Sequence, residues 1–350
     1  MPISAVDTIP LAFQHTKRQL LQPFRFGQWT RLAIVGLLAG EMGSGSGNFS
    51  SPFKSMPHQA PPSMGGMFPG INLALIAALV SAIVVLGFII ALVFLYISSV
   101  MRFILFDSVL TRECRIRDGW SRRQGTALNY FWWQLGYGIV MFLGVVVIVG
   151  IPAAVAFGMG WFAAPHAHME ALILTGVAVF AVFCFFMIAA VLGQVLTKDF
   201  VIPQMALEDI GPIEAWRRLW PMIEGEFNSY AMYVLMKIVL AIGAGIIIGI
   251  AALIVAAVVA VPIAGVVIAA VLAGKSAGLT WNVLTITGAV VVGCIVLAIL
   301  FYVIALVSVP AIVFFPAYSI YFFAPRYRPL SVALYPPPNS PLSPLPQPAG

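Results

Sequence analysis

The sequence predicts an all-α integral membrane protein. It predicts six transmembrane helices as three pseudo-repeats, each a cytoplasmic amphipathic helix followed by a transmembrane hairpin. Three observations carry this. Of 350 residues, 61% are hydrophobic and only 9% charged, where a soluble domain carries roughly 25% charged residues. Apolar runs longer than the roughly 20 residues needed to cross a bilayer core recur along the chain. Basic residues alternate between rich and poor segments in step with those runs. A water-soluble fold of this length has too little interior to hide so much apolar surface.

The elements follow in order. Residues 1–28 hold Asp7, Pro10, Lys17, Arg18, Pro23 and Arg25 and no continuous apolar core, so no cleavable signal peptide is expected. Five strong spans run over about 71–101, 131–157, 171–197, 229–261 and 284–309. Helix is the open-ended solution for each, because lipid cannot satisfy backbone hydrogen bonds. Residues 29–42 form a weaker, shorter run, which by length alone reads as re-entrant or interfacial. Charge argues for a crossing there. Lys17, Arg18, Arg25 and Arg31 surround its start, while 43–70 carries only Lys54. The next segment is rich (Arg102, Arg112, Arg115, Arg117, Arg122, Arg123), and the one around Pro165 has no Lys or Arg. Lys198, Arg217 and Arg218 follow, then only Lys275, then Arg326 and Arg328. The alternation closes if 29–42 crosses, which puts both termini in the cytoplasm of a multi-pass cell-membrane protein. Residues 262–274 read as an extension or an outer re-entrant piece of the fifth span, with Pro262 at a bend. Two stretches, 43–70 and 330–350, are rich in Pro and in Gly or Ser and read as a flexible outer loop and a disordered tail. The rest, 1–329, reads as one membrane domain.

The repeat shows in the basic segments. Phe13, Trp120 and Trp216 are each followed by a basic pair (Lys17 and Arg18, Arg122 and Arg123, Arg217 and Arg218) and then by Phe24, Phe131 and Phe227, eleven positions after the first aromatic. Asp7, Asp118 and Asp209 precede them. Eleven residues are about three helical turns, so both aromatics share a face. In the third copy Ile213, Trp216, Trp220, Ile223 and Phe227 make one apolar stripe, the pattern of a helix lying in the membrane interface. The units are about 5–112, 113–206 and 207–325. The six paired basic residues read either as topology determinants or as a ring engaging anionic lipid headgroups.

The stretch "KDFVIPQMALEDIGPIEAWRRLWPMIEGEFNSYAMYVLMKIVL", 198–240, resembles the membrane domain attached to some glycerophosphodiester phosphodiesterases and related uncharacterised membrane families. The "DFV.P.M..ED....AW" portion carries the likeness. The opening "AFQHTKRQLLQPFRFGQWTRLAIVGLLAG" looks like the start of one such uncharacterised family. In the enzymes a separate barrel does the chemistry. No stretch outside the spans is long enough for one, so the resemblance implies the membrane domain without the activity.

No Walker loop, GxGxxG after a strand, HExxH or GxSxG is present. The acids gather in cytoplasmic loops: Asp107, Glu113, Asp118, Asp199, Glu208, Asp209, Glu214, Glu224 and Glu226. Asp107 and Asp199, where spans re-enter the cytoplasm, either hold a cation or an arginine, or cap the segment that follows. His166 and His168 make a poor metal site without Cys or further carboxylates. Met42, Met56, His58, Met64 and Met67 are soft ligands of the kind that suits copper(I), on a loop whose composition alone explains them. Cys114, Cys184 and Cys294 are far apart and read as free thiols. No cofactor, metal, catalytic residue or nucleic-acid partner is expected. The partners are membrane lipids, with other membrane proteins as a further class. The expected role is a non-catalytic scaffold or lipid-interacting module. The alternative is a permease or channel for a small or amphiphilic solute, which proteoliposome flux would reveal.

Overall fold

The computed structural model describes residues 4–22, 24–41, 73–162, 166–276 and 283–335. Among these the chain is all-helical, with no strand. Five helical segments are long and apolar enough to cross a membrane: Ala77–Thr111, Ile116–Gly158, Met169–Glu208, Phe227–Gly274 and Ile286–Phe323. They correspond to the five strong hydropathic spans and mark a membrane protein. The weaker run folds as α2 (Phe26–Leu38), a helix of 13 residues. At 1.5 Å per residue it rises about 20 Å, short of the roughly 30 Å of a bilayer core.

The chain divides into two compact units. The first contains α1 (Thr8–Leu21), α2, α3 (Leu73–Thr111), the start of α4 (Ile116–Val145), α9 (Phe227–Ser276) and α10 (Val283–Phe323) as far as Tyr318. Each long helix here is packed at one end only. On α3, residues 77–91 are all exposed, whereas Val100, Phe103, Ile104, Leu105 and Val109 are buried. On α9, Tyr230, Tyr233 and Ala241 are buried and no described residue after 241 is. On α10 burial begins at Ala305. Bare apolar surface such as Val84, Phe88 and Phe94 is unfavourable in water at about 25 cal/mol per Å², and lipid removes that penalty. The packed ends meet through Tyr233 stacked on Tyr318, with ring centres 5.1 Å apart. Gly36 of α2 seats against α10, where an added Cβ would lie 2.5 Å from Ile312 Cγ2. Helix α9 is unbroken for 50 residues with Pro262 inside it. Residues 262–274 therefore extend the fifth span, and the re-entrant reading is excluded. One missing amide donor at Pro262 is too small a loss to end so long an apolar helix.

The second unit contains the rest of α4, a π-helical turn at Val146–Gly150, α5 (Ile151–Gly158), α6 (Met169–Leu196) and a second π-helical turn at Thr197–Val201. It continues through α7 (Ile202–Glu208), α8 (Pro212–Gly225), the end of α10 and α11 (Arg328–Leu334). Helices α4 and α6 pair antiparallel. The Tyr137 hydroxyl donates to the Ala190 carbonyl at 2.6 Å, and further along Gly144 faces Phe186. Small residues and such hydroxyl bonds are how helices associate in lipid. Each π-turn ends two residues before a proline, Pro152 or Pro203. Proline lacks the amide for the residue four back and crowds that carbonyl. A wide turn shifts the hydrogen-bond ladder past the conflict.

Two expectations are corrected. The second copy has no separate amphipathic helix, since Trp120 to Phe131 lies inside continuous α4. The first copy breaks at Gln22, held extended (φ −132°, ψ 91°) before Pro23, and the third breaks at Glu226 after Gly225. The second offers only Gly125, which a helix tolerates at about 1 kcal/mol. Residues 330–334, expected in the disordered tail, are ordered instead, because α11 covers 328–334 with Leu330 fully buried. Proline in the first turn suits a helix start. Residues 43–70, 336–350 and Met42 lie outside the described residues, so the loop, most of the tail and the soft-ligand group do too.

Candidate functional site

In the first unit the site is α1 on the end of α3. The last carbonyls of a helix have no partner within it. Here α1 supplies partners: Gln19 Nε2 donates to the Ser108 carbonyl at 2.9 Å, and His15 Nε2 lies 2.9 Å from the Val109 carbonyl. A carbonyl only accepts, so Nε2 of His15 carries a proton and donates it. Burial, and then the charge of Arg112, push its pKa below the ordinary value. From α2, Gln28 Nε2 donates to the Arg112 carbonyl at 2.7 Å. The face that α1 buries is thus partly polar: Ala12, His15, Thr16, Gln19 and Leu20. The face it exposes combines Phe13, 64% exposed, and Leu21 with Lys17 and Arg18. At the far end of α2, Arg102 Nε donates to the Ala39 carbonyl at 3.1 Å, and Glu41 is buried beside that terminus in sequence. Glu41 stands outside the loop acids noted above, and hydropathy gave it no prominence.

In the second unit the site is the corner between α7 and α8. Asp209 turns the chain in the left-handed region (φ 53°), where Asp is among the few side chains tolerated. Thr126 donates to its carboxylate at 2.9 Å. Arg123 is buried, donates to the Ala206 carbonyl and lies 4.0 Å from Asp209. Arg218 pairs with Glu208 and, at 3.1 Å, with Glu214. The Tyr327 hydroxyl donates to Glu208 at 2.7 Å. Burial first, then Glu208, hold that phenol well above its ordinary pKa, so it remains a donor. Arg326 is only 5% exposed at its side chain and pairs with Glu226 at 2.9 Å. It also donates to the Phe322 carbonyl at 2.8 Å and lies 4.1 Å over the Phe322 ring. Phe200 from the second π-turn packs on Phe323 at 5.1 Å. On α8, Ala215 and Leu219 are buried, while Ile213, Arg217 and Trp220 are exposed, as is Phe227 just beyond it.

The six paired basic residues therefore divide. Lys17, Arg18 and Arg122 are exposed, and Arg217 is exposed with Glu214 at 3.5 Å. Arg218 is held between two carboxylates, and Arg123 points into the protein. Asp199 is buried in the second π-turn, and Asp107 is half-buried with its carbonyl accepting from Thr111 at 2.8 Å. His166 is exposed and His168 stacks on Trp161. Among the described residues no three His, Cys, Asp or Glu side chains are grouped to hold a metal ion. Arg102, Arg326 and Tyr327 gave no motif signal, because their partners are backbone carbonyls and carboxylates set by packing.

Residues 3–333 match a family of unknown function. The chain belongs to DUF7544. No curated protein and no solved structure matches it. An uncharacterised membrane family is what the sequence likeness implied; no relationship to the glycerophosphodiester phosphodiesterase membrane domain is shown. In this DUF7544 chain the "DFV.P.M..ED....AW" segment has a structural account. Asp199 to Val201 form the π-turn, Pro203 opens α7, Glu208 and Asp209 make the corner, and Trp216 lies on α8.

Proposed function

We propose that the chain is a non-catalytic membrane scaffold that engages anionic lipids through its exposed basic and aromatic helix faces. The outer face of α1, where Phe13 and Leu21 stand beside Lys17 and Arg18, carries this reading. A helix that turns polar groups inward onto carbonyls and leaves aromatics outside beside cations suits the headgroup boundary. Helix α8 repeats the combination with Ile213, Arg217 and Trp220. Arg123 is left out of this set because its charge is used internally. Glu208 at the α7–α8 corner is engaged by Arg218 and Tyr327, and Glu226 after α8 by Arg326, which supports a structural rather than catalytic use. Spin labels at positions 13 and 220 in reconstituted vesicles test it. More collisional relaxation by oxygen than by a water-soluble nickel complex is expected. Dominance of the nickel complex at both positions would contradict it.

The three-unit, six-crossing arrangement with both termini cytoplasmic belongs to the same proposal. The alternation of basic segments supports it, as does the occurrence of two separate 14-residue helices, α1 and α8, each just before an apolar element.

A further inference from the structure

We infer that a cavity at the start of α2 is a headgroup site for an anionic phospholipid. The cavity has a volume of about 410 Å³ and is lined by Arg25, Gly27, Gln28, Arg31, Glu113, Cys114 and Arg115. That is within the range of about 300–1,000 Å³ typical of small-ligand sites. Three guanidinium groups face one carboxylate, and that carboxylate is taken, since Glu113 pairs with Arg115 at 2.8 Å. Arg25 and Arg31 have no carboxylate in ion-pair reach among the described residues. Two uncompensated, exposed arginines around one concavity are a fitted receptor for phosphate oxygens, because the planar fork gives paired charge-assisted hydrogen bonds. The wall is held in place where Gln28 bonds the Arg112 carbonyl.

The surroundings select a lipid phosphate over a free one. Phe24 and Phe26 flank Arg25 in sequence and are 58% and 60% exposed. The Phe24 ring leans on Trp29 at 5.5 Å. Exposed aromatics beside a basic concavity belong at the membrane interface, where the rings meet acyl chains and the cations meet the headgroup. The site shares no residue with the basic pair of α1, so it stands or falls separately from the reading above.

Native mass spectrometry of the full chain in detergent, offered equal phosphatidylglycerol and phosphatidylcholine, tests the inference. The first lipid bound is expected to be phosphatidylglycerol by on the order of tenfold, given two arginines near a headgroup. The Arg25→Gln/Arg31→Gln double variant is expected to lose that preference, while Arg328→Gln, at an exposed arginine outside the cavity, keeps it. Glu113→Gln releases Arg115 from its ion pair in the cavity wall and is expected to raise the preference, which keeps the test informative if the double variant does not fold. A first-lipid preference that survives Arg25→Gln/Arg31→Gln, or that Glu113→Gln leaves unchanged, would overturn the inference. So would displacement of the lipid by an equal concentration of inorganic phosphate, which would assign the cavity to a free anion.

Discussion

Arg102, Arg123 and Arg326 each place a guanidinium on a carbonyl at the C-terminal end of a helix, at Ala39, Ala206 and Phe322. The ends of α2, α7 and α10 carry partial negative charge and unmatched acceptors, and a buried or half-buried arginine answers both. In the sequence these three are indistinguishable from topology-setting charges. The partners of Arg102 and Arg123 lie 63 and 83 residues away, and only packing brings them together. Arg123→Ala is therefore expected to destabilise the protein by about 1–3 kcal/mol, while Arg217→Ala changes it by less than about 0.5 kcal/mol. Thermal unfolding of both variants in one detergent checks this, and equal effects would refute it. His15 gives a pH prediction. Its folded pKa lies below the ordinary value of 6.5, so the docked α1 takes up protons less readily than the unfolded chain. Its contribution is complete above that value and is lost as pH falls through the range below it. Trypsin cleavage after Lys17 and Arg18, taken as the ratio of wild type to His15→Gln, is expected to rise between pH 7.5 and pH 5.5. A flat ratio would refute this contribution of His15.

The long helices were legible because their cause is local. Runs such as 77–97 contain no charge, and lipid leaves a backbone no choice but helix. Helices α1 and α8 were legible for a similar reason, each bounded by Pro or Gly punctuation. Their exposed faces were less so, because burial depends on which carbonyls need partners. The second copy misled: aromatic and basic spacing matched the others, yet nothing between Trp120 and Phe131 stops a helix, and α4 runs through. The π-turns were unreadable from periodicity, although Pro152 and Pro203 mark both in hindsight. The seat of α2 on α10 is testable as a packing contact. Gly36→Ala pushes a methyl group into Ile312, and Ile312→Ala makes room for it. A double-mutant cycle is expected to give a coupling of about 1 kcal/mol, within the usual range for touching residues. Simple additivity would mean the two helices do not meet there.

For the whole molecule, the composition established the membrane class, and the five apolar helices agree with it. The number of crossings was only partly legible, because it hangs on one short element. At 13 residues α2 is too short to span by itself, whereas the alternation of basic segments asks for a crossing at that place. Ser50→Cys in a background without the native cysteines decides between them. With a control cysteine at position 7, before α1 and α2, labelled from the cytoplasmic side, an impermeant thiol reagent should reach position 50 from the opposite side. Labelling of both from the same side would reduce the count to five.

The proposal that the exposed basic faces hold anionic lipid has a direct test. Electron spin resonance of spin-labelled lipids in vesicles containing the protein measures this directly, as the fraction of each lipid slowed at the protein surface. A larger slowed fraction is expected for phosphatidylglycerol than for phosphatidylcholine, falling in the Lys17→Gln/Arg18→Gln/Arg217→Gln variant. Equal fractions for the two lipids, unchanged by those substitutions, would contradict it.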